Sequence, residues 1–167
     1  MVVLFFGGIG TYYFKVFRWR HLEDPKYDLL VVKKTDNSEL AFFRKKTVPE
    51  YVDPARMQLE SLIKLRKATE KGTVRPEGFD QSMKEIGTKL LDIMNGAKLR
   101  QIPEIYEKKY IDVLVGISEI YRGWRDLEEV MATEIPEEKT RYLKSSIEHT
   151  KKAERLLKIQ RQFFYVK

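Results

Sequence analysis

The stretch that decides the fold is residues 106–131, YEKKYIDVLVGISEIYRGWRDLEEVM. Its apolar members Tyr106, Tyr110, Val113, Ile117, Ile120, Trp124, Leu127 and Met131 follow one another at spacings of 4, 3, 4, 3, 4, 3 and 4. That pattern keeps one face of a helix apolar over nearly four heptads, whereas a strand would alternate every second residue. The spacing predicts a helix that starts at Pro103, ends at Ile135-Pro136 and measures roughly 45 Å at 1.5 Å per residue. Each of these eight side chains would cost about 1.5–3 kcal/mol if left in water. The stripe is therefore a helix-packing seam, covered either by other helices or by a second chain.

Working outward, the next segment reads as a partner helix. It runs from Pro136 to about Phe164, with Glu137 and Glu138 in its first turn, where carboxylates favour the helix dipole. Its apolar positions are sparser: Tyr142, Leu143, Ile147, Ala153, Leu156, Leu157, Phe163 and Phe164. The short link from Thr133 to Pro136 makes the two helices an antiparallel pair. Upstream, Asp53-Pro54 reads as an N-cap with proline in the first turn, opening a helix that Gly72 closes. Its buried stripe is expected to be Ala55, Leu59, Leu62, Ile63 and Arg66. A further helix is expected from about Glu77 to Asn95, with Phe79, Met83, Ile86, Leu90, Ile93 and Ala97 along one face.

Residues 22–52 read as a β-hairpin. Tyr27–Lys34 (YDLLVVKK) and Glu39–Lys46 (ELAFFRKK) flank Thr35-Asp36-Asn37-Ser38, residues that favour turns through side-chain-to-backbone hydrogen bonds. The strings Pro25–Leu29 and Lys34–Glu39 resemble the opening strand of SOUL-type haem-binding proteins. The rest of the chain lacks the strand-rich body of that family, so the resemblance brings no haem with it.

Residues 1–21 form the most apolar segment and admit two readings. MVVLFFGGIGTYYFKVF, followed by basic residues, fits a membrane anchor with Tyr12, Tyr13, Lys15, Arg18, Trp19 and Arg20 at the membrane interface. A span needs roughly 20 apolar residues, and this run approaches that length only by including Lys15. The other reading is a second hairpin, Val2–Phe6 and Thr11–Trp19 around Gly7, Gly8 and Gly10.

The chain has 167 residues and no cysteine, which excludes disulfides, thiolate nucleophiles and cysteine-held zinc. Its net charge of +7 is uneven: residues 139–167 hold nine basic against two acidic residues, while residues 53–138 hold fourteen against seventeen. A basic terminal helix suggests an acidic partner, and Lys144, Lys151, Lys152, Arg155, Lys158 and Arg161 are the candidate contacts. Asp112, Glu119 and Asp126 recur every seven residues and are expected to form a solvated acidic face, some of it opposite Lys144, Lys151, Arg155 and Lys158. His21 and His149 stand too far apart for a metal box, and His149 reads as a partly buried packing residue. The cluster Gly7-Gly8-Ile9-Gly10 lacks both the GxGxxG register and a P-loop lysine.

The expectation is a mainly α fold, an antiparallel bundle of about four helices over residues 53–167, preceded by a hairpin and the apolar segment. The expected role is a non-enzymatic scaffold or accessory subunit of a membrane-associated assembly. The bulk of the chain would lie on the cytoplasmic or equivalent side and bind other protein subunits without a cofactor, metal or small-molecule substrate. The alternative is a nucleic-acid- or ribonucleoprotein-associated accessory protein that uses the basic ends.

Overall fold

The computed structural model describes residues 32–33, 37–71 and 78–165. Their elements are β1 (Val32–Lys33), α1 (Asn37–Thr47), a π-helical turn (Val48–Val52), α2 (Asp53–Lys71), α3 (Phe79–Lys98), β2 (Ile102–Pro103), a 3-10 turn (Glu104–Tyr106), α4 (Glu107–Ala132) and α5 (Pro136–Phe164). The fold is mainly helical. Helices α2 to α5 form an up-and-down bundle, in which α2 touches α3, α4 and α5, and α4 packs most extensively on α5.

The antiparallel order follows from the contacts. Against α5, Gly116 meets Leu157 and Gly123 meets Thr150, so the numbers rise along one helix as they fall along the other. Between α3 and α4, Ala97 accepts a hydrogen bond from Tyr110, and Met83 accepts one from Trp124. Between α2 and α5, Asp53 pairs with Arg161 and Arg66 bonds to Thr150. The molecule thus has a strand end, where α1, β1, β2 and the 3-10 turn gather, and a turn end at Thr133–Ile135.

The seam of α4 is covered by the chain's own helices. Tyr110, Val113, Ile117, Ile120 and Leu127 are buried, while Tyr106, Trp124 and Met131 are half-buried against the same core. The expected stripe of α2 is in place as well, with Ala55, Leu59, Leu62 and Arg66 buried and Ile63 half-buried. Helix α5 spans Pro136–Phe164, as its sequence signals indicate. At the α3 N-terminus Gly78 adopts φ +71°, a left-handed conformation that suits glycine.

The expected hairpin is not formed. Asn37 to Thr47 is helical, so Glu39–Lys46 is no strand. The run Leu40-Ala41-Phe42-Phe43 satisfies a period of two, but only Phe43 and Thr47, four residues apart, are buried in α1. Phe43 sits among Tyr106, Tyr110 and Phe164, with ring centroids 5.9, 5.4 and 6.2 Å away, and that aromatic socket rewards a helical spacing. Strand β1 pairs instead with β2, in parallel, Val32 opposite Ile102 and Lys33 opposite Pro103.

Asp53 likewise does not cap a helix. The backbone stays helical from α1 into α2 through the π-helical turn, and the Asp53 N–H donates to the carbonyl of Val48, five residues back. Pro49 lies in this turn and has no N–H to donate, so a local widening of the helix relieves the missing bond. No helix among the described residues is long and apolar enough to cross a membrane. Residues 1–21, with the anchor and first-hairpin readings and the interface residues Tyr12, Tyr13, Lys15, Arg18, Trp19 and Arg20, lie outside the described residues.

Candidate interaction surfaces

Helix α4 carries a second stripe beside the apolar one. Asp112, Gly116, Glu119, Gly123, Asp126 and Val130 follow at spacings of 4, 3, 4, 3 and 4. From Asp112 to Asp126 this stripe faces α5, which answers with Ser146, Thr150, Ala153, Leu157, Gln160 and Phe164, also at spacings of 4, 3, 4, 3 and 4 and all buried. The glycines let the backbones approach. A Cβ on Gly116 would lie 2.9 Å from Leu157 Cδ2, and one on Gly123 would lie 3.1 Å from Thr150 Cγ2 and 3.3 Å from the Ser146 carbonyl oxygen. Ser146 Oγ closes the gap by donating to the Gly123 carbonyl at 2.8 Å.

The acids of this stripe do not form the expected solvated face. Glu119 is only 1% exposed. Its carboxylate accepts hydrogen bonds from His149 Nδ1 at 2.6 Å, Lys152 Nζ at 2.7 Å and Arg122 Nη1 at 3.2 Å. Burial pulls its pKa upward, but the hydrogen bonds from His149 and Lys152, with their charges, outweigh that and hold it down at about 2. Asp112 accepts from Gln160 Nε2 at 3.1 Å, and Asp126 Oδ2 lies 3.7 Å from His149 Nε2. The cross-helix ion pair thus uses Lys152 in place of Lys144, Lys151, Arg155 or Lys158. His149 is half-buried, as expected, and serves as a polar contact between the helices.

A buried arginine joins α2 to this interface. Arg66 of α2 donates through Nη1 to Thr150 Oγ1 at 2.6 Å and to the Ser146 carbonyl at 3.4 Å, while its Nε lies 3.3 Å from Glu70 Oε1. Thr150 passes the bond on to the Ser146 carbonyl at 2.8 Å.

The six candidate contacts for an acidic partner divide in two. Lys152 is engaged with Glu119, and Arg161 with Asp53 at 2.8 Å, a hydrogen bond that raises the guanidinium pKa. Lys144, Lys151, Arg155 and Lys158 are exposed, and none forms an ion pair among the described residues. At 100° per residue these four fall within a narrow arc of α5, about opposite Ala153 and Leu157. They form a basic stripe about 21 Å long at 1.5 Å per residue.

Hydrophobic periodicity alone does not foretell a groove of about 490 Å³ between α3 and α4 at the turn end. Its apolar wall includes Phe79, Met83, Leu91, Trp124 and Met131, with Asp80, Lys84 and Glu128 along it. Gly87 makes room for the indole of Trp124, whose Nε1 donates to the Met83 carbonyl at 2.7 Å. Among the described residues no cluster of His, Asp and Glu is arranged to hold a metal ion. The chain matches no protein-family model, no curated protein and no solved structure.

Proposed function

We propose that this chain is a non-enzymatic scaffold or accessory subunit of a larger, membrane-associated assembly, and that it binds an acidic protein partner through the outer face of α5. The observation that carries the reading is the stripe Lys144, Lys151, Arg155 and Lys158, four exposed cations none of which forms an ion pair among the described residues. A row of exposed charges of one sign raises the local concentration of oppositely charged partners and orients them on approach. The polar groups of the interior support the non-enzymatic part. Glu119 is held by His149, Lys152 and Arg122, and Arg66 by Thr150 and Ser146, so these groups serve as fixed contacts between helices.

The test is affinity capture with the full chain from detergent-solubilised membranes and from the soluble fraction of its source. The quadruple variant Lys144→Glu, Lys151→Glu, Arg155→Glu and Lys158→Glu is expected to lose the partners while folding normally, because all four side chains face solvent. Unchanged partners would refute the use of this face. Capture of RNA or DNA in place of protein, with affinity falling steeply as salt rises, would move the reading to the nucleic-acid alternative.

A further inference from the structure

Against Ile135 at 52% exposure at the turn end, the strand end of the bundle leaves Phe42 at 62%, Leu99 at 84% and Ile105 at 70%. They come from α1, the link between α3 and β2, and the 3-10 turn, and a chain of contacts ties them to one end of the molecule. Lys46 Nζ sits 5.7 Å from the Phe42 ring centroid and pairs with Glu50 at 3.6 Å. Glu50 in turn pairs with Arg100, the neighbour of Leu99, at 2.8 Å. Phe43, next to Phe42, stacks on Tyr106, next to Ile105, at 5.9 Å.

This end is the more basic of the two. Residues 37–50 and 98–109 hold seven basic against four acidic residues, whereas residues 66–71, 79–84 and 125–141, at the turn end, hold seven against eight. Lys45 and Lys108 are exposed and have no ion pair among the described residues. The chain also enters here: β1 lies against β2, and the residues before it in sequence include the apolar stretch Met1–Phe17 with Lys15, Arg18 and Arg20.

Separate apolar side chains of this size within a basic surround match the interfacial layer of an anionic bilayer, where acyl chains take up the apolar groups and lipid phosphates take up the lysines. We propose that the strand end rests on an anionic membrane surface, with Phe42, Leu99 and Ile105 inserted at headgroup depth and Lys45 and Lys108 on the phosphates. The α5 stripe and the turn end then face away from the lipid, toward partners. The inference rests on the membrane-associated reading above and adds to it the face that meets the lipid.

The absence of cysteine permits a clean test on the full chain. Single variants Leu99→Cys, Ile105→Cys and Glu134→Cys, the last at the turn end, are labelled with an environment-sensitive fluorophore. They are mixed with phosphatidylcholine vesicles with or without phosphatidylglycerol, and quenching by doxyl-labelled lipid is read alongside flotation. With anionic vesicles, labels at 99 and 105 are expected to be quenched several-fold more than the label at 134. Lys45→Gln and Lys108→Gln are each expected to weaken binding of the strand end about fivefold, from roughly 1 kcal/mol per surface lysine. Flotation with equal quenching at 99, 105 and 134 would overturn the inference and leave the membrane-associated reading standing. No flotation on any vesicle would overturn both. Equal quenching on neutral and anionic vesicles would remove the role of the lysines and overturn the proposal as stated.

Discussion

Glycine at 116 sets how closely α4 and α5 approach, because the space of its missing side chain is filled by the fully buried Leu157. Gly116→Ala is expected to lower stability by about 1–2 kcal/mol: overpacking costs roughly 1–3 kcal/mol, and the gain of about 1 kcal/mol in helix propensity offsets part of it. A denaturant midpoint that rises in this variant would show that the helices are not in contact there. Glu119 supplies the second residue-scale expectation. Its folded-state pKa of about 2 lies below the ordinary 4.5, so its ionised form stabilises the fold above pH 4.5, and that contribution is lost as pH falls toward 2. The groups facing it are His149 and Lys152 from α5 and Arg122 from its own helix. Urea midpoints measured across this window should fall with acid in the unaltered protein, and the fall should be smaller in Glu119→Gln. This carboxylate shows where the sequence was hard to read. Acids repeating every seven residues look like a wet face, and nothing in hydropathy signals that Gly116 and Gly123 between them admit a second helix close enough to bury one.

At the level of elements, legibility followed the strength and length of the apolar pattern. Helix α4 could be found because eight large side chains kept a single period over 26 residues, and that stripe does face inward. Helix α5 could be bounded by Pro136 and the last phenylalanines, yet half of its buried stripe escaped notice because Ser146, Thr150 and Gln160 are polar. Helix α1 reads as a strand from its sequence. Its four consecutive apolar residues fit both periods, and the deciding contact, Phe43 in a socket built by residues some sixty and more than a hundred positions later, is not a local property. The same contact gives a prediction: Phe43→Ala should cost about 3–5 kcal/mol and loosen α1 from the bundle. Limited trypsin digestion should then cut at Arg44, Lys45 and Lys46 well before the bundle unfolds, and unaltered resistance at these sites would mean that another residue holds α1 down.

For the whole molecule, the folded unit is a four-helix up-and-down bundle whose most extensive joint, α4 on α5, sets small and polar residues beside Leu157 and Phe164, while the apolar stripe of α4 is covered within the same chain. Two consequences follow at this scale. The basic stripe of α5 is left on the outside, and the two ends of the bundle differ in charge and in exposed apolar surface, which gives the molecule a direction relative to whatever it binds. Both depend on the register of α4 against α5. A Cβ at position 123 would lie 3.5 Å from that of His149, at the short edge of the range a disulfide accepts, and the chain contains no other cysteine to compete. The most direct measurement is therefore oxidation of the double variant Gly123→Cys, His149→Cys, followed by mass spectrometry and size analysis, with Gly123→Cys, Leu156→Cys, displaced by about two turns, as the control. The expected result is an intramolecular disulfide in a monomer for the first pair and none for the second. A disulfide joining two chains, or one formed by the control pair in place of the first, would contradict the bundle and the surfaces derived from it.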